Sequence, residues 1–330
     1  MGYSVGIGLT NECNLSCAHC YRDTDRVDRL SLDQVRQLCT ALSVDAVGLG
    51  TGENALHPDF IPVVEYLAGR GVKLGLASNG YSLMQVPNEI LRAFNDVEVS
   101  IDFPTEDAQD AFRGPGNWTL VHRAMERCRN LSVETTILAT MMATNYDLMD
   151  QMVALARRNS VYLRVNAYQA VKSATFRLTY EAFWEGYRRL FAAGLLVSCS
   201  EPVVRAALRL EGTSSPCGRS SVRISPRGMV IPCVYWPLDS VEPPRITDLA
   251  RLGAAVLESP AFEAARFTPP IAAECPCRGG CASRRALGGR LDAHDEYCPW
   301  VRADDPLLAW RPERAKDLMR SGNVCTTIVE

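Results

Sequence analysis

The chain has 330 residues, 47% of them hydrophobic and 22% charged, with a net charge of −3 and no basic run, so nothing in it matches the electrostatic footprint of a nucleic-acid binder. No apolar stretch approaches the roughly 18 residues of a membrane-spanning helix, and residues 1–8 lack the basic and apolar regions of a secretion signal, which together predict a cytoplasmic protein without membrane attachment. The length suits one large domain and a smaller one, and thirteen cysteines without a secretion signal point to metal or iron–sulfur ligation rather than disulfides.

Apolar runs near residues 3–9, 46–50, 72–78, 96–102, 133–142 and 161–167 alternate with amphipathic patterns, predicting parallel strands joined by crossover helices. The first such helix opens with a capping box, Ser31 and Gln34, and lines up Val35, Leu38, Cys39 and Leu42 on one face. Phe60, Val63, Val64 and Leu67 repeat the spacing, as do Val121, Ala124, Met125 and Cys128, and then Met149, Met152, Val153 and Ala156. Cys39 and Cys128 therefore read as core. The fold class predicted is α/β, a partial (β/α)6 barrel of the TIM type over residues 1–180, with functional groups in the loops after the strand C-termini. Residues 181–212 read as a helical linker and 213–300 as a small Cys-rich domain. That domain opens with a hairpin over residues 222–231 and is otherwise loop-rich enough to need bound metal. A helical pattern over 305–320 and a short tail complete residues 301–330.

Cys13, Cys17 and Cys20 follow the first strand. Three thiolates in one loop can ligate three irons of a cubane and leave the fourth open, whereas a structural zinc site using His19 would more usually pair two Cys-x2-Cys units. The Cys-x3-Cys-x2-Cys spacing resembles the radical S-adenosylmethionine (SAM) superfamily. The resemblance implies a [4Fe–4S] cluster whose open iron chelates SAM, electrons from a donor such as flavodoxin or ferredoxin, and a 5′-deoxyadenosyl radical. Gly50-Thr51-Gly52-Glu53 is similar to the family's Gly-Gly-Glu element at the SAM amino group, with Thr51 in place of a glycine and Asn54 where proline is usual. Ser78-Asn79 and Ser100-Ile101-Asp102 are similar to elements near the ribose and carboxylate. Arg113 and Asn145 recur at corresponding places, and Tyr21 resembles the aromatic beside the adenine. Taken singly, Glu53 could be a solvated loop carboxylate, Ser100 and Asp102 strand-end hydrogen-bonders, and Arg113 a surface charge.

Cys217, ten residues, Gly228, four residues and Cys233 resemble the opening of the SPASM domain, and Cys277-x3-Cys281 with Cys298 resembles its close. Two thiols usual before Cys277 are missing, and only Cys275 stands nearby. The resemblance implies a SPASM-like or twitch-like domain in which these five cysteines hold one or two auxiliary [4Fe–4S] clusters, a zinc ribbon being the plainer alternative. If Cys217, Cys233, Cys277 and Cys281 fill one cluster, Cys275 is left over as a catalytic hydrogen donor of the kind radical epimerases use. Otherwise Cys275 shares a second, incomplete cluster with Cys277 and Cys298. The implied activity is hydrogen abstraction from a natural product, an aminoglycoside, sugar or nucleoside that is epimerised or dehydrogenated. A short ribosomally made peptide, epimerised or cross-linked, is the alternative substrate, and a non-catalytic iron–sulfur or zinc protein the alternative class.

Overall fold

A computed structural model describes residues 2–210, 217–238, 242–306 and 325–330. The strands are β1 (Tyr3–Gly8), β2 (Val44–Gly50), β3 (Lys73–Ser78), β4 (Asp96–Ser100), β5 (Glu134–Met141), β6 (Tyr162–Ala167), β7 (Leu196–Cys199), β8 (Ser221–Ile224), β9 (Val230–Ile231) and β10 (Thr326–Val329). Among the described residues they form one sheet in the order β7-β10-β6-β5-β4-β3-β2-β1-β8-β9. Neighbours from β1 to β6 pair in parallel, with helices in the crossovers, so the α/β barrel-type architecture read from the sequence is the one observed.

The crossover helices form where the apolar spacing puts them. The helix Leu32–Ala41 begins at Ser31, whose side chain accepts from the Gln34 backbone while Gln34 bonds back, and it buries Val35, Leu38 and Cys39 against the sheet. The helix Asn117–Asn130 buries Cys128 in the same way, so both isolated cysteines are core. No helix among the described residues is long and apolar enough to cross a membrane.

Two segments depart from expectation. The stretch read as a helical linker contains helices Tyr180–Ala193 and Pro202–Ala207, but β7 lies between them. The stretch read as a tail contains β10, which runs antiparallel to both β6 and β7 and buries all four of its residues. Its Thr-Thr-Ile-Val sequence is β-branched throughout, and insertion between two strands pairs both of its edges. The helical pattern over 305–320 lies, from residue 307 on, outside the described residues. Beyond β1, β8 pairs in parallel and turns back into β9, giving the expected hairpin.

Candidate functional site

The loop after β1 carries Cys13, Cys17 and Cys20 into an open cavity of about 190 Å³ at the C-terminal end of the strands. Arg22 organises this loop by donating to the carbonyls of Asn11 and Leu15, and the Asn11 amide donates to the carbonyls of Asp23 and Arg26. Asn79 Nδ2 reaches across from the loop after β3 to within 3.5 Å of Cys13 Sγ. All three thiols are half-buried. Burial pushes the Cys13 thiol up to about 11 and raises that of Cys17.

Tyr21, Gly52, Glu53, Ser78, Asn79, Ser100 and Arg113 line the same cavity, so the loops after β1 to β4 bring most of the sequence-selected residues together. Tyr21 stands edge-on to Tyr235, and its phenol oxygen is 2.8 Å from Thr51 Oγ1. That bond explains how threonine serves at a glycine position. Thr51 has φ 68°, a left-handed conformation costing roughly 1–2 kcal/mol for an ordinary residue, and its hydroxyl gains a partner there. Gly52 has no such latitude, since a Cβ on it would lie 2.2 Å from the Glu12 carbonyl oxygen.

Two carboxylates are placed differently from the reading of their sequence. Glu53 is not a solvated loop acid but fully buried, and it accepts from Ser78 Oγ at 2.9 Å, Ser82 N at 3.0 Å, Ser82 Oγ at 2.6 Å and the Asn79 backbone. Burial pushes its carboxyl up against the pull of these donors. The side chain thus ties the loop after β2 to the loop after β3. Glu53→Ala is expected to cost about 1–3 kcal/mol, because the donors around it would be left buried and unpaired. Denaturant unfolding checks this, and unchanged stability would return Glu53 to a solvated role.

Asp102 is buried behind the cavity lining. It pairs with Arg113 at 2.7 Å, accepts from the Thr140 backbone at 2.8 Å and lies 3.7 Å from His19 Nε2. Arg113 and His19 face the cavity, and Asp102 holds Arg113. His19 stacks on Phe112, and burial lowers its pKa, which favours the neutral ring at pH 7. Asn145 also lies outside the lining, bonding the carbonyls of Asp102 and Thr140. Sequence reading missed Asn166, Tyr168 and Gln169 at the end of β6, and Tyr235, all of which line the cavity. The rule that selected the loops after β1 to β4 applies equally after β6. The side-chain carbonyl oxygens of Asn166 and Gln169 are buried without a hydrogen-bond partner, a demand that a donor-bearing ligand would meet.

The C-terminal thiols divide into two groups. Cys275, Cys277 and Cys298 lie within 3.2–3.5 Å of one another. Cys277 therefore stands with Cys275 and Cys298 rather than with Cys217, Cys233 and Cys281. Its neighbours Cys277 and Cys275 draw the Cys298 thiol down to about 6. Cys217, Cys233 and Cys281 gather with Cys325 in a separate buried cluster.

A buried ionic node supports both groups. Arg284 donates to Asp295 and Glu201, each at 2.7 Å, and its guanidinium lies 4.7 Å from the centre of the Tyr297 ring. Asp295 also accepts from the Cys281 backbone at 2.7 Å, so the node fixes the Cys281 turn directly.

Residues 7–158 match the family model of the Radical SAM superfamily. Mycofactocin maturase MftC of Mycolicibacterium smegmatis is 27% identical over 320 residues, covering 88% of this chain and 81% of that protein. SuiB of Streptococcus suis, solved with its precursor peptide SuiA, has the same fold with a TM-score of 0.68, 14% identity and coverage of 90% of this chain and 76% of that one. The protein anSMEcpe, solved with AdoMet and the Cp18Cys peptide, gives a TM-score of 0.69 at 18% identity, covering 91% of this chain and 94% of that one.

Proposed function

We propose, from the premise that this chain carries a Radical SAM superfamily domain, that it is a maturase acting on a carbon centre of a peptide. The peptide reading is supported by the likeness to SuiB and anSMEcpe, both solved with peptides, beside the similarity to the maturase MftC over 88% of this chain. That likeness favours the peptide over the aminoglycoside, sugar or nucleoside that the sequence suggests first.

The donor set fits the family's groups. Three half-buried thiols in one loop can hold a [4Fe–4S] cluster and leave an iron free for SAM, and buried sulfur clusters further along suit auxiliary clusters. When bound, cluster and SAM supply the reductive cleavage that makes hydrogen abstraction possible. The remaining work belongs to the chain. Tyr21 and Gly52 offer a flat ring and an unobstructed backbone for the nucleoside, while Ser78, Asn79, Ser100 and Arg113 present polar groups to its other end. Glu53 and Asp102 act as positioning residues, the first holding Ser78 and Asn79, the second Arg113. Asn166 and Gln169 would accept peptide N–H groups on the far wall. Electrons would come from a flavodoxin- or ferredoxin-type donor.

The test offers the anaerobically reconstituted enzyme, with SAM and a reductant, short peptides on one side and aminoglycosides and nucleosides on the other. Peptides are expected to raise 5′-deoxyadenosine formation. Stimulation by an aminoglycoside or nucleoside alone would overturn the peptide assignment.

A further inference from the structure

Cys325 lies 44 residues beyond Cys281 and belongs to no spacing motif, yet the fold brings the two sulfurs within 3.9 Å. Cys325 also meets Cys217, which in turn meets Cys233. The four thiols are buried, with Trp236, Ala265 and Ala282 packed around them. Ser283 Oγ stands 3.2 Å from Cys281 Sγ and 3.5 Å from Cys233 Sγ. Four gathered sulfurs satisfy one another poorly as neutral thiols, but as thiolates they supply the four donors that a cubane or a structural zinc takes.

We propose that Cys325 is the fourth thiolate of an auxiliary [4Fe–4S] cluster whose other ligands are Cys217, Cys233 and Cys281. The inference rests on the radical SAM reading and adds to it a ligand from the opposite end of the sheet. It also has a mechanical consequence. Thr326, the next residue, pairs with Asn166 in the β10–β6 register, and Asn166 lines the substrate cavity. A cluster anchored through Cys325 fastens β10, and with it that wall of the cavity, to the Cys-rich segment. Cys275, Cys277 and Cys298 then form a second group with three thiols, one short of a full shell.

The test uses the full-length, anaerobically reconstituted protein and measures iron, acid-labile sulfide, zinc and the EPR spectrum of the reduced form. Cys325→Ala is expected to lose up to about four irons per chain. Cys325→Ser, close in size, is expected to keep the fold by circular dichroism and to shift one EPR signal, because an alkoxide replaces a thiolate. Cys39→Ala, a core change outside both groups, should do neither. If the alanine variant fails to fold, the serine variant decides. Failure of the radical SAM reading has a different signature: the wild-type protein would then form no 5′-deoxyadenosine, whatever Cys325 does. With that product forming normally, wild-type iron and EPR spectra in both Cys325 variants would overturn the assignment. Zinc at about one atom per chain, lost when Cys325 is replaced, would overturn it too.

Discussion

Replacing Cys13, Cys17 and Cys20 together by alanine is expected to abolish conversion of SAM to 5′-deoxyadenosine and to remove about four irons per chain, leaving the iron at the C-terminal thiols in place. The three thiols sit in one loop, half-exposed, and that loop is held by Arg22 and Asn11 rather than by packing of the sulfurs. Their removal opens no core cavity, so the protein should stay folded. The other thiol groups are built on different elements, on either side of the β8–β9 hairpin, around the helix Ala282–Leu287 and before β10. Iron analysis and product chromatography on the triple variant check both halves of the expectation. Retained SAM cleavage would remove the triad from the chemistry, and parallel loss of all iron would show that the sites fill as one unit.

Arg284→Ala is expected to destabilise the fold by about 3–5 kcal/mol, the range seen when one partner of a buried ion pair is removed. Glu201 is 0% exposed and Asp295 3%, and Arg284 is the cation between them. Without it, two carboxylates lie close together in a shell formed partly by Phe183 and Tyr297. Burial already pushes the Glu201 carboxyl up despite the guanidinium beside it. Arg284→Lys keeps the charge but loses the fork that reaches Asp295 and Glu201 together, so its cost should fall between wild type and alanine. Chemical denaturation of the three proteins gives the order. A cost below about 1 kcal/mol for the alanine variant would mean that the node is relaxed or hydrated, not a true buried pair. Because Asp295 also holds the Cys281 backbone, auxiliary iron should fall with stability in this variant.

Local signals carried most of the barrel. Strand positions, the capping box at Ser31 and Gln34, and the burial of Cys39 and Cys128 depend on residues a few positions apart, which a repeating apolar pattern reports directly. The pattern fails where the partner is remote. Leu196–Cys199 is four buried residues long, too short to separate strand from helix by period, and β10 takes its identity from β6 and β7 more than a hundred residues earlier. The same limit explains the site. The cysteine triad and the Gly-Thr-Gly-Glu turn are contiguous and legible, but whether Glu53 faces solvent or Ser82 depends on how two loops meet. Likewise, Cys277 and Cys281 have only three residues between them and still belong to different thiol groups, because the intervening Arg278-Gly279-Gly280 turn has left-handed φ at all three residues. Spacing motifs assign cysteines to a module; the turn assigns them to a group.

The most direct test of the central claim follows a label. The anaerobic holoenzyme is given SAM, a reductant and a peptide deuterated at its carbon-bound positions, and 5′-deoxyadenosine is isolated and weighed. Deuterium in that product, absent with the triad variant, is the result expected of a radical SAM enzyme acting on a peptide. An iron-loaded enzyme that binds SAM and peptide yet yields no 5′-deoxyadenosine would contradict the account.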